Sequence, residues 1–194
     1  MSSRNAMLKA IKANRPANRP LPSIDLELVT TYANKLEQFG KVLTSIGGEL
    51  LPAYDEALLR TEMHTLTEAG HLVYSTLPGM EFGDLAALKA ARAPQLENLF
   101  KAYIPGVWGI AENGSIWVEE TAMGNRLLPF ICQHLVVVLE RNQLLDTMHH
   151  AYAQITPDRE GFGMFLAGPS KTADIEQSLV IGAHGARSLR VLIK

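Results

Sequence analysis

The sequence predicts an α/β protein built on a mostly parallel sheet that helices cover on both faces. Three observations lead there. Short apolar runs alternate with stretches of helical periodicity along much of the 194 residues. Residues 135–139 are five consecutive branched apolar side chains, too uniform for a strand with one face in water, and read as a central strand. Glycine, proline and small polar residues punctuate the joints between segments.

Taken in order, residues 3–13 read as a helix expected to dock through Met7, Leu8 and Ile11. The three prolines of 14–22 end it and make a linker, so 1–22 form a basic helical arm and 23–194 a single domain. Ser23 is expected to cap a helix over 25–39, where Leu26, Val29, Tyr32, Ala33, Leu36 and Phe39 recur at helical spacing. Gly47 and Gly48 separate it from a short strand at 49–51. Asp55 opens a helix reaching residue 69, and 72–75 is a strand. Residues 83–100 read as another helical segment, broken before Pro94.

The second half alternates more cleanly. Strands at 107–111 and 115–118 flank an Asn113-Gly114 turn, whose residues both tolerate positive φ. Strand 135–139, a helix over 143–154 and a buried strand over 162–167 follow. Gly168-Pro169 ends that strand, and Ser170 or Thr172 caps a short helix with Asp174 and Glu176 in its first turn. Strand 189–193 closes the pattern.

Composition narrows the function classes. An apolar fraction of 47% and a charged fraction of 20% suit a globular domain. The formal charge is −2, so no global field favours nucleic acid. The first twenty residues carry five cations and no acid, which leaves −7 on the remainder. No apolar run approaches the ~20 residues that span a bilayer, and no secretory core opens the chain. The lone Cys132 fits a reducing cytoplasm and cannot ligate an iron–sulfur centre by itself. The histidines show no metal-ligand spacing, and no glycine fingerprint for a dinucleotide follows a strand, so neither metal nor cofactor is expected.

Two glycine-bearing bends carry the candidate chemistry. In the first, Glu112 sits at a strand end on the sheet rim, followed by Asn113 and Gly114. The plain reading is a hairpin. The functional one is a nucleophile or base, since Glu112-Asn113-Gly114 is similar to the Glu-Asn-Gly motif of family I CoA transferases, where the glutamate forms an anhydride and then a thioester. In the second, Gly168, Ser170, Lys171, Thr172 and Asp174 either cap a helix or orient a polar ligand through backbone N–H groups and the lysine. His184, between Gly182 and Gly185, is either a buried structural histidine or an acid–base group reaching Asp174 or Glu112. Trp108 and Trp117 flank the first bend, as core or as pocket walls. These polar groups are expected to converge at the carboxyl ends of the strands.

The run 168–176, the segment Gly182-Ala183-His184-Gly185 and the closing strand 189–193 closely resemble the LUD-domain family. Residues 109–117 and the opening helix are similar to it as well. The family usually has threonine where this chain has Asn113. The resemblance implies the three-layer α/β/α fold shared by CoA transferases, ribose-5-phosphate isomerase and glucosamine-6-phosphate deaminase. It also implies a subunit or accessory protein of an L-lactate-oxidising system, acting with an iron–sulfur protein and a cysteine-rich oxidoreductase-like subunit, and binding that partner or a small organic acid. The alternative is an independent enzyme on a small carboxylate or acyl thioester that uses Glu112.

Overall fold

The computed structural model describes residues 3–17, 19–20, 22–51, 53–156, 161–171 and 180–194. The first helix, α1 (Ser3–Ala13), forms where expected but buries nothing: Met7 is 59% exposed and Ile11 66%. Met7, Leu8 and Ile11, the side chains expected to dock, are all exposed.

The helix expected over 25–39 is also corrected. Leu26–Leu28 make a single 3₁₀ turn capped by Asp25, and α2 begins only at Lys35 and runs to Ser45. Two side chains decide this. Asp146 Oδ1 accepts from the Tyr32 main-chain N–H at 2.8 Å, which holds the intervening segment away from helix. Asn34 Oδ1 accepts from Glu37 N and restarts the helix there.

Strand β1 (Glu49–Leu51), helix α3 (Glu56–Glu68) capped by Asp55, and strand β2 (Leu72–Ser75) follow as read from the sequence. The helical segment expected over 83–100 does break before Pro94, but its last residues are strand and not helix. Helix α4 (Leu85–Ala90) stops short, a 3₁₀ turn holds Pro94, and Arg92 N donates to the Gln95 side chain at 2.7 Å. The chain then enters strand β3 (Leu99–Pro105), which the helical reading had covered.

Strands β4 (Trp108–Ile110) and β5 (Ile116–Glu119) form the expected pair, and the short helices α5 (Glu120–Met123) and α6 (Leu128–Ile131) lead to β6 (His134–Leu139). The helix expected over 143–154 divides into β7 (Leu144–Leu145) and α7 (Met148–Gln154). Strand β8 (Gly163–Leu166) is half-buried rather than buried, and β9 (Ser188–Ile193) ends the fold. The helix expected from Thr172 lies outside the described residues.

The main sheet is wholly parallel, in the order β1-β9-β6-β3-β2. Strand β6 sits at its centre, and its alternation sets the layers. Leu135, Val137 and Leu139 pack with Phe39 and Leu43 of α2, Leu88 of α4 and Met123 of α5. Val136 and Val138 turn to the opposite face and meet Leu59 and Met63 of α3. Each such burial contributes about 1.5–3 kcal/mol. A second sheet, β7-β4-β5-β8, is mostly antiparallel and joins the α2 side through Ile116 and Val118, with α7 against its outer face. It arises because β4 and β5 make a tight hairpin, which parallel strands cannot do.

Candidate functional site

The second sheet draws the two bends together. Strands β5 and β8 pair antiparallel with Ile116 opposite Leu166, so the turn before β5 and the turn after β8 emerge at one end. Both turns press on the end of α2. Gly114 has φ +68°, and a β-carbon there would stand 2.9 Å from Leu43 N and 3.3 Å from Ile46 Cδ1. Gly168 has φ +75°, and a β-carbon there would stand 2.6 Å from Ile46 O. Neither position has room for a side chain, and both need left-handed backbone.

Beyond Gly168 the chain pairs with the approach to β9. Ser170 N donates to Ala186 O at 2.8 Å, Gly182 N donates to Ser170 O at 2.9 Å, and Lys171 bridges to Ile181. A β-carbon at Gly185 would stand 3.0 Å from Ser170 Cβ, so the strands close only because residue 185 is small. The result is a cavity of about 280 Å³ in which Ser170, Lys171 and His184 meet Phe130, Leu135 and Phe165. No other described residue accepts or donates a hydrogen bond to the Ser170, Lys171 or His184 side chains. Lys171 also lies beside Gly47, within 3.5 Å of where a β-carbon would be, at the carbonyl end of α2. Its charge suits the negative end of that helix.

Glu112 and Asn113 do not line this cavity. Glu112 is exposed, and its Oε2 accepts from Met148 N at 2.9 Å, at the start of α7. Asn113 Oδ1 accepts from both Ser115 N and Ser115 Oγ, at 3.0 and 2.7 Å, and so folds its own turn. Thr172 and Asp174 lie outside the described residues. The expected location is corrected as well. Residues 182–186 lead into β9, which runs parallel to β6, so His184 sits at the amino ends of those strands and not at their carboxyl ends. Trp117 belongs to the core beneath α7, with Ala151, Ile155 and Phe165, and its ring fills the space a side chain at residue 163 would need.

A larger cavity, about 760 Å³, went unread in the sequence. It lies past the carboxyl end of β2, between Thr76, Lys89 of α4, Glu120 of α5 and Arg126. Much of its polar lining is already committed. Thr76 Oγ1 donates to Ala122 O at 2.6 Å, Asn125 Nδ2 to Leu88 O at 2.7 Å, and Arg126 grips Glu120 through two bonds at 2.6 and 2.8 Å. No spacing signal exists for it, because these residues come from three separate segments. Buried Asp146, which ties Tyr32 and Lys35 beside Glu112, was missed for the same reason. Among the described residues no cluster of three or more His, Cys, Asp or Glu could hold a metal ion.

Residues 85–193, more than half of the chain, match the LUD domain. The chain belongs to the LUD-domain family. Over 95% of its length it is 26% identical to lactate utilization protein C of Deinococcus radiodurans, covering 90% of that protein. It is 31% identical to lactate utilization protein C of Bacillus pumilus across 43% of this chain and 38% of the other. Its fold is similar to the crystal structure of a DUF162 family protein from Deinococcus radiodurans, with a TM-score of 0.60 at 18% identity, over 82% of this chain and 95% of that one. The matched LUD region starts at α4 and takes in both bends, so the second sheet and the Ser170–His184 cavity belong to the shared domain.

Proposed function

We propose that this LUD-domain chain serves lactate utilization in the cytoplasm as a subunit or accessory protein, and that it binds a small organic acid in the Ser170–Lys171–His184 cavity. The observation that carries the reading is the nearly end-to-end similarity to a lactate utilization protein C, over 95% of this chain and 90% of that protein. The chemistry agrees with it. A cation, a hydroxyl and an imidazole beside apolar Phe130, Leu135 and Phe165 suit a small carboxylate with a short carbon skeleton.

Lactate oxidation moves two electrons, and this chain has one cysteine, Cys132, which is buried. Electron transfer on this reading falls to an iron–sulfur protein and a cysteine-rich oxidoreductase-like subunit that act with it. Kinship with the three-layer CoA transferase and ribose-5-phosphate isomerase folds is part of the same proposal, supported by a parallel sheet with helices on both faces.

The test is replacement of the resident LUD-domain gene in a bacterium that needs it for growth on L-lactate. This chain should restore growth, and iron–sulfur proteins should copurify with it. Lys171→Ala with His184→Ala should abolish growth while the protein still accumulates. Failure to restore growth when the host partners are present would overturn the reading.

A further inference from the structure

A second polar cavity, of about 370 Å³, lies on the other face of the main sheet, beneath α3. Register builds it. Lys101 of β3, His134 of β6 and Ser188 of β9 stand side by side across three parallel strands. Two residues further along, Tyr103, Val136 and Arg190 form the next row, and strand alternation turns both rows toward α3. Glu62 of α3 closes the cavity from above, and Phe100 lines it, stacked on His71 at 4.0 Å and edge-on to His134 at 4.9 Å.

The cavity already holds one carboxylate. Glu62 takes a hydrogen bond from Tyr103 Oη at 2.6 Å and pairs with Lys101, which is only 5% exposed. Two lining cations face this single acid, and Arg187 adds a third positive charge nearby. His134 registers that field. Burial first, then Lys101, Arg190 and Arg187, hold its imidazole below the ordinary range, against an opposing pull from Glu62. Ser188 Oγ occupies His134 Nδ1 at 2.8 Å, so the other ring nitrogen is the one available to a ligand. Arg190 is tied through Nε to Glu49 on the open side.

We propose that this cavity binds a small monocarboxylate, with Arg190 and Lys101 supplying charge and His134 and Ser188 supplying hydrogen bonds. Glu62 offsets Lys101 and Glu49 offsets Arg190, so Arg187 supplies the excess positive charge beside His134 that suits a single anion, and Arg190 has the planar fork that pairs with a carboxylate. The site goes beyond the organic-acid cavity proposed above, which opens on the opposite face and is read by a different histidine.

Titration of the full chain with acetate, followed by NMR of the histidine rings, tests it. Acetate should shift the His134 signals saturably and raise its titration midpoint. Arg190→Gln should weaken the apparent affinity roughly tenfold, the loss expected for one charge-assisted pair. Glu49→Gln, which frees Arg190 at an exposed position, should tighten binding, and this arm stands even if Arg190→Gln disturbs the fold. Saturable shifts at His184 alone, equal affinity in both variants, or tighter binding of inorganic phosphate than acetate would each overturn the assignment.

Discussion

Gly114 and Gly168, one in each bend, are held against the same residue, Ile46 at the end of α2. One helix end thus positions two turns that the sequence places far apart, and the cavity beside Ser170 depends on that shared seat.

Substitution at that seat tests the dependence. Gly168→Ala must place a β-carbon 2.6 Å from Ile46 O on a backbone with φ +75°. Strained backbone of this kind costs about 1–3 kcal/mol. A fall in Tm of several degrees by calorimetry is expected, and an unchanged Tm would show that the turn relaxes without cost.

Glu62 sets an acid limit on stability. Burial raises its carboxyl pKa, but hydrogen bonds from Lys101 and Tyr103 outweigh that and hold it below the ordinary glutamate range. A depressed folded value means the contribution is full above the unfolded pKa of about 4.3 and is lost as pH falls through the lower folded one. Chemical denaturation between neutral and strongly acid pH should show this loss, and Glu62→Gln should remove that part of the slope. The same variant should cost about 1–3 kcal/mol at pH 7, because it leaves buried Lys101 without its counter-charge.

Removal of residues 3–13 should leave the domain intact. All of α1 is exposed, so its loss should change stability by no more than about 0.5 kcal/mol. A marked drop in Tm on truncation would mean that the arm docks on the domain after all.

Cys132 should be inert in the folded protein. Burial pushes its thiol up to about 12, so almost no thiolate forms at neutral pH. Iodoacetamide should label it only after unfolding, and rapid labelling of the native chain would contradict the buried position.

Glu112→Gln separates the subunit reading from an independent enzyme. The amide oxygen can still accept from Met148 N, so the α7 start should survive. Growth on L-lactate should be retained. Its loss in a folded, abundant variant would assign the carboxylate a chemical role.

Strong local patterns were legible in the sequence. The unbroken run in β6 marked the sheet centre, Asp55 marked the start of α3, and Asn113-Gly114 marked the β4–β5 turn. Where a distant partner overrides local preference, the reading failed. Periodicity favoured helix over 25–39, but the Asp146–Tyr32 bond holds that stretch open. Lys101 interrupts the apolar pattern of β3 and hid the strand, and its reason for being there, Glu62, comes from another helix.

The sequence alone determined the α/β class, the family and the turn chemistry, because each is written in neighbouring residues through propensity, spacing and the backbone freedom of glycine. Tertiary structure decided which strands share a sheet, that His184 lies at their amino ends in a cavity Glu112 does not line, and that Lys101, His134 and Ser188 form one row. Those outcomes depend on strand register and on burial against remote elements, which no local stretch of chain specifies.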